Sequence, residues 1–182
     1  MIAQAKPRIL DLFCGAGGAG MGYYRAGFEV VGVDIKPQPN YPFEFHQADA
    51  LTFPLAGFDA VHASPPCQSF SKTKTILAGK GLPNPGVDLV DATRRRLRFL
   101  PHVIENVPGC PLREPVTLCG EMFGLSVIRH RLFESNMPID APSHKPHRAG
   151  GTNAHRGYSS FANGATYICV GGNNYRLLDA RV

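Results

Sequence analysis

Residues 8–13 (RILDLF) are an apolar run with a single acid, and they lead straight into CGAGGAG. The pattern predicts a buried strand and a glycine turn. MGYYRAGF then reads as a helix closing near Gly27, and residues 28–34 (FEVVGVD) as a second strand ending in an acid. Strand, glycine turn, helix and strand make one half of a doubly wound sheet. A short third strand near 43–47 precedes Asp49, and 58–63 (FDAVHA) predicts a fourth strand running into SPPC. From Ser69 to Pro85 the chain has little periodicity and reads as a long loop. Residues 87–99 predict a helix, 102–105 (HVIE) a fifth strand, 116–125 another short helical element and 130–134 (HRLFE) a strand at a sheet edge. From Ser135 to Ala162 the chain is polar, with many His, Gly and Pro and no core pattern, and TYICV at 166–170 reads as a last strand. The fold class expected is α/β, a doubly wound and mostly parallel sheet, with no internal repeat.

Composition narrows the function classes. The chain has 182 residues, 43% of them hydrophobic, which fits one folded domain and excludes a wholly disordered chain. No apolar run approaches the roughly 18 residues of a membrane span, and no secretory leader is visible, so a cytoplasmic protein is expected. Twenty Gly and 16 Pro argue for functional loops on a scaffold rather than a helical bundle. The five cysteines are odd in number and widely spaced, which is no disulfide framework. The net charge of +5 permits a polyanionic partner. It is concentrated in Arg94, Arg95, Arg96 and Arg98, which read as the solvated face of a helix, and in a tract from Arg129 to Arg156.

Three stretches carry candidate chemistry. Gly15-x-Gly17-x-x-Gly20 follows a strand and opens a helix, the context for a ligand at a helix N-terminus. Asp34 stands where a ribose-binding acid would, Ile35 beside it offers a face for adenine, and Asp49 offers an acceptor for the adenine amino group. These features fit a nicotinamide dinucleotide or S-adenosylmethionine equally. Cys67, after Pro65 and Pro66, sits at the C-terminal end of the fourth strand, where ligands bind in such sheets. It suits nucleophilic addition to an electron-poor ring carbon. Glu105 ends the fifth strand and can converge on the same crevice, protonating or hydrogen-bonding a ring nitrogen. Arg129 and Arg131 share one side of an extended segment and can grip a carbonyl or phosphate.

In chain order, DLFCGAGG, GVD, the Asp49 position, SPPCQSFS, ENV and RHRLF resemble the C5-cytosine DNA methyltransferase family, across about residues 8–133 with gaps. The overall size is similar to short phage-type members. The resemblance implies a Rossmann-like methyltransferase sheet and S-adenosylmethionine as cofactor, leaving S-adenosylhomocysteine as product. It implies a cofactor site of Phe13, Gly15, Ala16, Gly17, Gly18, Asp34, Ile35, Asp49, Ala50 and Pro66. It makes Cys67 the nucleophile that adds to cytosine C6, Glu105 the acid at N3 and the exocyclic amino group, Arg131 the contact to O2, and Arg129 its partner near phosphate. Gln68, Ser71 and the loop with Lys72, Lys74 and Lys80 match the segment that closes over a flipped base.

The implied partner is double-stranded DNA, bound by one copy of the chain in the cytoplasm of a bacterium or phage-infected host, as in restriction-modification. The implied organisation is a cofactor and catalytic domain at 1–134, a short target-recognition region at 135–165, and a return to the catalytic domain at 166–182. Groove contacts are then expected from His144, Lys145, His147, Arg148, His155 and Arg156. Two departures stand out: Val127 replaces the glutamine that usually precedes the paired arginines, and the family's closing helix is not visible, so an incomplete C-terminal part is expected. Alternative readings are the same chemistry on RNA and a catalytically impaired, cofactor-binding nucleic-acid module. His144, His147 and His155 offer three metal ligands, but no nearby cysteine completes a familiar zinc pattern, so no metal is expected.

Overall fold

The computed structural model of the protein describes residues 5–67, 88–125 and 127–144, and the backbone of 158–160 and 166–168. Its strands are β1 (Arg8–Leu12), β2 (Glu29–Asp34), β3 (Glu44–Gln47), β4 (Ala60–Ala63), β5 (His102–Asn106), β6 (Val116–Cys119), β7 (His130–Ser135), β8 (Tyr158–Ser160) and β9 (Thr166–Ile168). The helices among the described residues are α1 (Gly18–Arg25) and α2 (Val90–Leu97), with a 3₁₀ turn at Gly120–Phe123. The main sheet has the order β3-β2-β1-β4-β5-β7-β6. Residues 1–116 with 132–139 form one compact unit, and 117–131 with 140–182 a second.

In the first unit β1 is the central strand, parallel to β2 on one side and to β4 on the other. β3 extends the sheet beyond β2 and β5 beyond β4, again in parallel, while β7 runs antiparallel to β5 with Glu105 opposite Phe133. β1 and β2 are near-continuous apolar runs because both sheet faces are covered, as a parallel sheet requires. Leu10, Leu12, Val31, Val33, Val61, Ala63, Leu97 and Ile104 form the core. Full burial of each larger member contributes about 1.5–3 kcal/mol. From β1 the chain winds outward through β2 to β3, then returns to place β4 on the other flank. The strand order reverses between β1 and β4, and ligands bind in such sheets at that point.

α2 buries Val90, Thr93 and Leu97, one helical stripe, and the Asp88 carboxylate just ahead of it accepts from the Val90 N–H at 2.9 Å. Arg94, on the same helix, departs from the expected solvated face. Its side chain is 12% exposed and makes a two-point pair with Glu134 of β7, Nε to Oε1 at 2.6 Å and Nη2 to Oε2 at 2.8 Å. Burial acts to raise the Glu134 pKa, but the Arg94 guanidinium and the Arg113 N–H outweigh it and leave the carboxyl below its ordinary value. Arg95 and Arg98 keep the exposed character expected of them.

The stretch 116–125 also differs from expectation: it is strand β6 followed by the 3₁₀ turn, with Gly124 closing the turn in the left-handed region. In the second unit β8 and β9 form a two-stranded antiparallel sheet, Tyr158 opposite Ile168. Among the described residues no helix is long and apolar enough to cross a membrane.

Candidate functional site

The turn after β1 is set by backbone conformation. Phe13 adopts φ 57, an uncommon choice for a bulky residue and a mark of a locally imposed geometry. Gly17 caps α1 at φ 88, and a Cβ there would meet Pro42 Cδ at 2.8 Å. A side chain is therefore excluded twice, by torsion and by space. No side chain caps α1 from the Gly17 position, so the helix N-terminus presents backbone donors beside the turn. Asp34, at the end of β2, receives the Gly15 N–H on Oδ2 at 3.1 Å and the Lys36 N–H on Oδ1 at 2.9 Å. Each oxygen keeps a further lone pair, so the carboxylate both fixes the turn and can accept hydroxyl donors. Ile35 next to it is 66% exposed, an uncovered apolar face. Asp49 organises its own turn, accepting the Leu51 N–H on Oδ1 at 2.8 Å, with Ala50 buried behind it. Gly15, Ala16, Gly17 and Gly18 thus share one turn, faced by Asp34 from the neighbouring strand.

Asp11, in the middle of β1, lies beneath this turn and is 1% exposed. The Tyr41 hydroxyl donates to its Oδ2 at 3.2 Å, while Oδ1 has no hydrogen-bond partner. Burial pushes its pKa up to about 7; Tyr41 and the Gly20 N–H in the first turn of α1 oppose that, and Asp34 adds to it. Cys14 is buried beside these acids, and burial followed by their charge pushes its thiol well above the ordinary range.

The turn after β4 is held differently. Ser64 donates its N–H to the Leu12 carbonyl at 3.1 Å, so this turn starts level with the end of β1. The Asn106 side-chain amide, at the end of β5 and 1% exposed, donates to the Pro65 carbonyl at 3.1 Å, and its oxygen accepts the Val107 N–H at 2.9 Å. Pro65 is buried, while Pro66 and Cys67 are half-buried. His62 of β4 adds a brace, with Nδ1 3.0 Å from the Tyr23 hydroxyl of α1 and Nε2 2.9 Å from the Ser64 hydroxyl. Burial lowers the His62 pKa to about 4, so the ring is neutral and bridges the helix to the cysteine turn.

Glu105 precedes Asn106 on β5, half-buried, one step beyond the Ala63–Ile104 pair of the β4–β5 ladder. Burial first, then Asp88, pushes the thiol of buried Cys110 up to about 12. Arg129 and Arg131 belong to the second unit; both are half-buried, and the Arg131 guanidinium donates to the His130 carbonyl at 2.9 Å. Cys119, His130 and His144 also meet in that unit. The expected closing segment (Gln68, Ser71, Lys72, Lys74, Lys80) and the expected groove contacts Lys145, His147, Arg148, His155 and Arg156 lie outside the described residues. Reading the sequence missed Asp11, His62 and the holding role of Asn106. An acid or imidazole set inside an apolar strand was the available signal.

No family model matches the chain, and no curated protein is significantly similar to it. Solved structures are. The Entamoeba histolytica methyltransferase EhMeth aligns over 79% of this chain and 58% of its own, with TM-score 0.52 and 15% identity. The Dnmt2 methyltransferase of S. pombe aligns over 75% of this chain and 52% of its own, with TM-score 0.52 and 18% identity. The chain shares the fold of these two structures. It spans between half and three-fifths of the length of these two structures.

Proposed function

We propose that the chain methylates C5 of cytosine in double-stranded DNA, using S-adenosylmethionine. The observation that carries this reading is the Asn106–Pro65 hydrogen bond. It ties the turn bearing Cys67 to the end of the strand bearing Glu105. On this reading Cys67, after β4, is the nucleophile and Glu105, near the end of the neighbouring strand β5, is the acid.

The cofactor fits what the turn offers: lone pairs on Asp34 for ribose hydroxyls, Ile35 for an adenine face, Asp49 for the adenine amino group, and the turn 13–18 with Ala50 and Pro66 as walls. When bound, S-adenosylmethionine supplies an electrophilic methyl group, which C5 takes up. The chain's own residues make C5 reactive. The Cys67 thiolate adds to C6 while Glu105 gives a proton to N3, so the ring electrons shift to C5. After methylation a base removes the C5 proton, N3 returns its proton, and the C6–S bond breaks to restore thiolate and aromatic ring. Arg131 holds the cytosine O2 and Arg129 a phosphate. The target base leaves the stack at a cost of a few kcal/mol. The protein acts in the cytoplasm of a bacterium or phage-infected cell, one copy per target.

Incubation of the protein with S-adenosylmethionine and a duplex containing 5-fluorocytosine tests this. Fluorine at C5 blocks the last proton removal, so a denaturation-resistant adduct mapping to Cys67 is expected. An adduct formed only on a matching RNA would move the substrate class, and none on either would leave a binding module.

A further inference from the structure

Three segments of the second unit converge on one cluster of metal-ligating side chains. Cys119 ends β6, His130 opens β7, and His144 follows β7. Their Sγ and ring-nitrogen atoms all lie within 4.8 Å of one another. The two Nε2 atoms face each other at 3.1 Å, with the ring planes at 63°. In a tetrahedral zinc site, bonds of about 2.0 Å to nitrogen and 2.3 Å to sulfur set N···N edges near 3.3 Å and N···S edges near 3.5 Å. The imidazole pair already has that edge.

The surroundings of the sulfur point the same way. Cys119 is 2% exposed, and the Met122 N–H in the 3₁₀ turn donates to its Sγ, an arrangement that stabilises a thiolate ligand. The Met122 sulfur is turned to the Cys119 N–H at 3.2 Å. Gly120 lets the segment before β7 approach: a Cβ there would lie 2.5 Å from the Val127 carbonyl oxygen. The cluster grades from buried Cys119 through half-buried His130 to exposed His144, so one side opens to solvent.

We propose that Cys119, His130 and His144 form a Zn(II) site with one thiolate, two imidazole nitrogens and water in the fourth position. Binding expels the Cys119 thiol proton to solvent and leaves both imidazoles neutral. The ion ties the end of β6, the start of β7 and the segment around 140–144 together, and so fixes the backbone on either side of Arg129 and Arg131. A thiolate with two imidazoles favours zinc over magnesium or calcium, which prefer oxygen. The inference is independent of methyl transfer.

The full chain, stripped of metal by a chelator, is titrated with Co(II) and then with Zn(II). One equivalent of Co(II) should give a thiolate-to-cobalt charge-transfer absorption, and one equivalent of Zn(II) should abolish it. Cys119→Ser should lose the band. His144→Ala, at an exposed position, should keep the fold by circular dichroism and bind Zn(II) at least about tenfold more weakly. A band that survives Cys119→Ser, or zinc taken up equally by wild type and His144→Ala, overturns the proposal, as does wild-type protein that binds less than one ion.

Discussion

The turns after β1 and β4 leave adjacent parallel strands, yet they are built in opposite ways. After β1 the chain itself carries the geometry: Phe13 and Gly17 take left-handed torsions, and the Asp34 carboxylate pins the Gly15 N–H. After β4 the geometry comes from outside. Two prolines restrict the chain, Asn106 of β5 holds the Pro65 carbonyl, and His62 links Ser64 to Tyr23. The first turn exposes backbone donors, which suits a polar ligand met by main-chain atoms. The second presents one side chain, Cys67, from a fixed support, which suits covalent chemistry needing close alignment. Damage to the first should therefore appear in cofactor affinity, and damage to the second in turnover.

Gly17→Ala should have the largest effect. It forces a side chain into positive φ and against Pro42, costing about 2–4 kcal/mol in chemical denaturation and weakening S-adenosylmethionine binding about tenfold or more. Asp11 comes next, through pH. Its folded pKa of about 7 lies above an ordinary 3.8, so the folded state binds the extra proton. The Asp11 contribution to stability is then greatest below pH 4, falls as pH rises towards 7, and levels off above that. Asp11→Asn keeps the acceptor for Tyr41, should flatten that profile and should be more stable than wild type at pH 8 by about 2 kcal/mol, measured by urea unfolding at several pH values. The smallest stability cost falls to Asn106→Ala, about 1–2 kcal/mol for leaving the buried Pro65 carbonyl without a donor. Its kcat should drop about tenfold or more with cofactor affinity unchanged; equal loss of both would erase the distinction between the turns.

The two turns were legible in the sequence for different reasons. The glycine run and the apolar strands beside it signal by composition and length, and β1, β2, β4 and β5 fall within a residue or two of their expected bounds. The Cys67 turn was legible through its prolines and its family-like context, but what holds it was not, because Asn106 lies 41 residues away and no local pattern encodes that bond. Arg94 misled for the same reason: its partner Glu134 is 40 residues on, so the helix alone showed only a basic face. The sequence of β6 reads as helix because four residues give too few alternations to separate a strand from a turn of helix. In the sequence His144 stands near His147 and His155, whereas the fold brings it to Cys119 and His130.

The central claim is that Cys67 forms a bond to cytosine C6. Mass spectrometry of the protein after reaction with S-adenosylmethionine and a 5-fluorocytosine duplex tests it most directly. The account predicts one added oligonucleotide per chain, linked to the peptide containing Cys67 and absent in Cys67→Ser. An adduct at another residue, or methylated cytosine produced undiminished by Cys67→Ser, would contradict it.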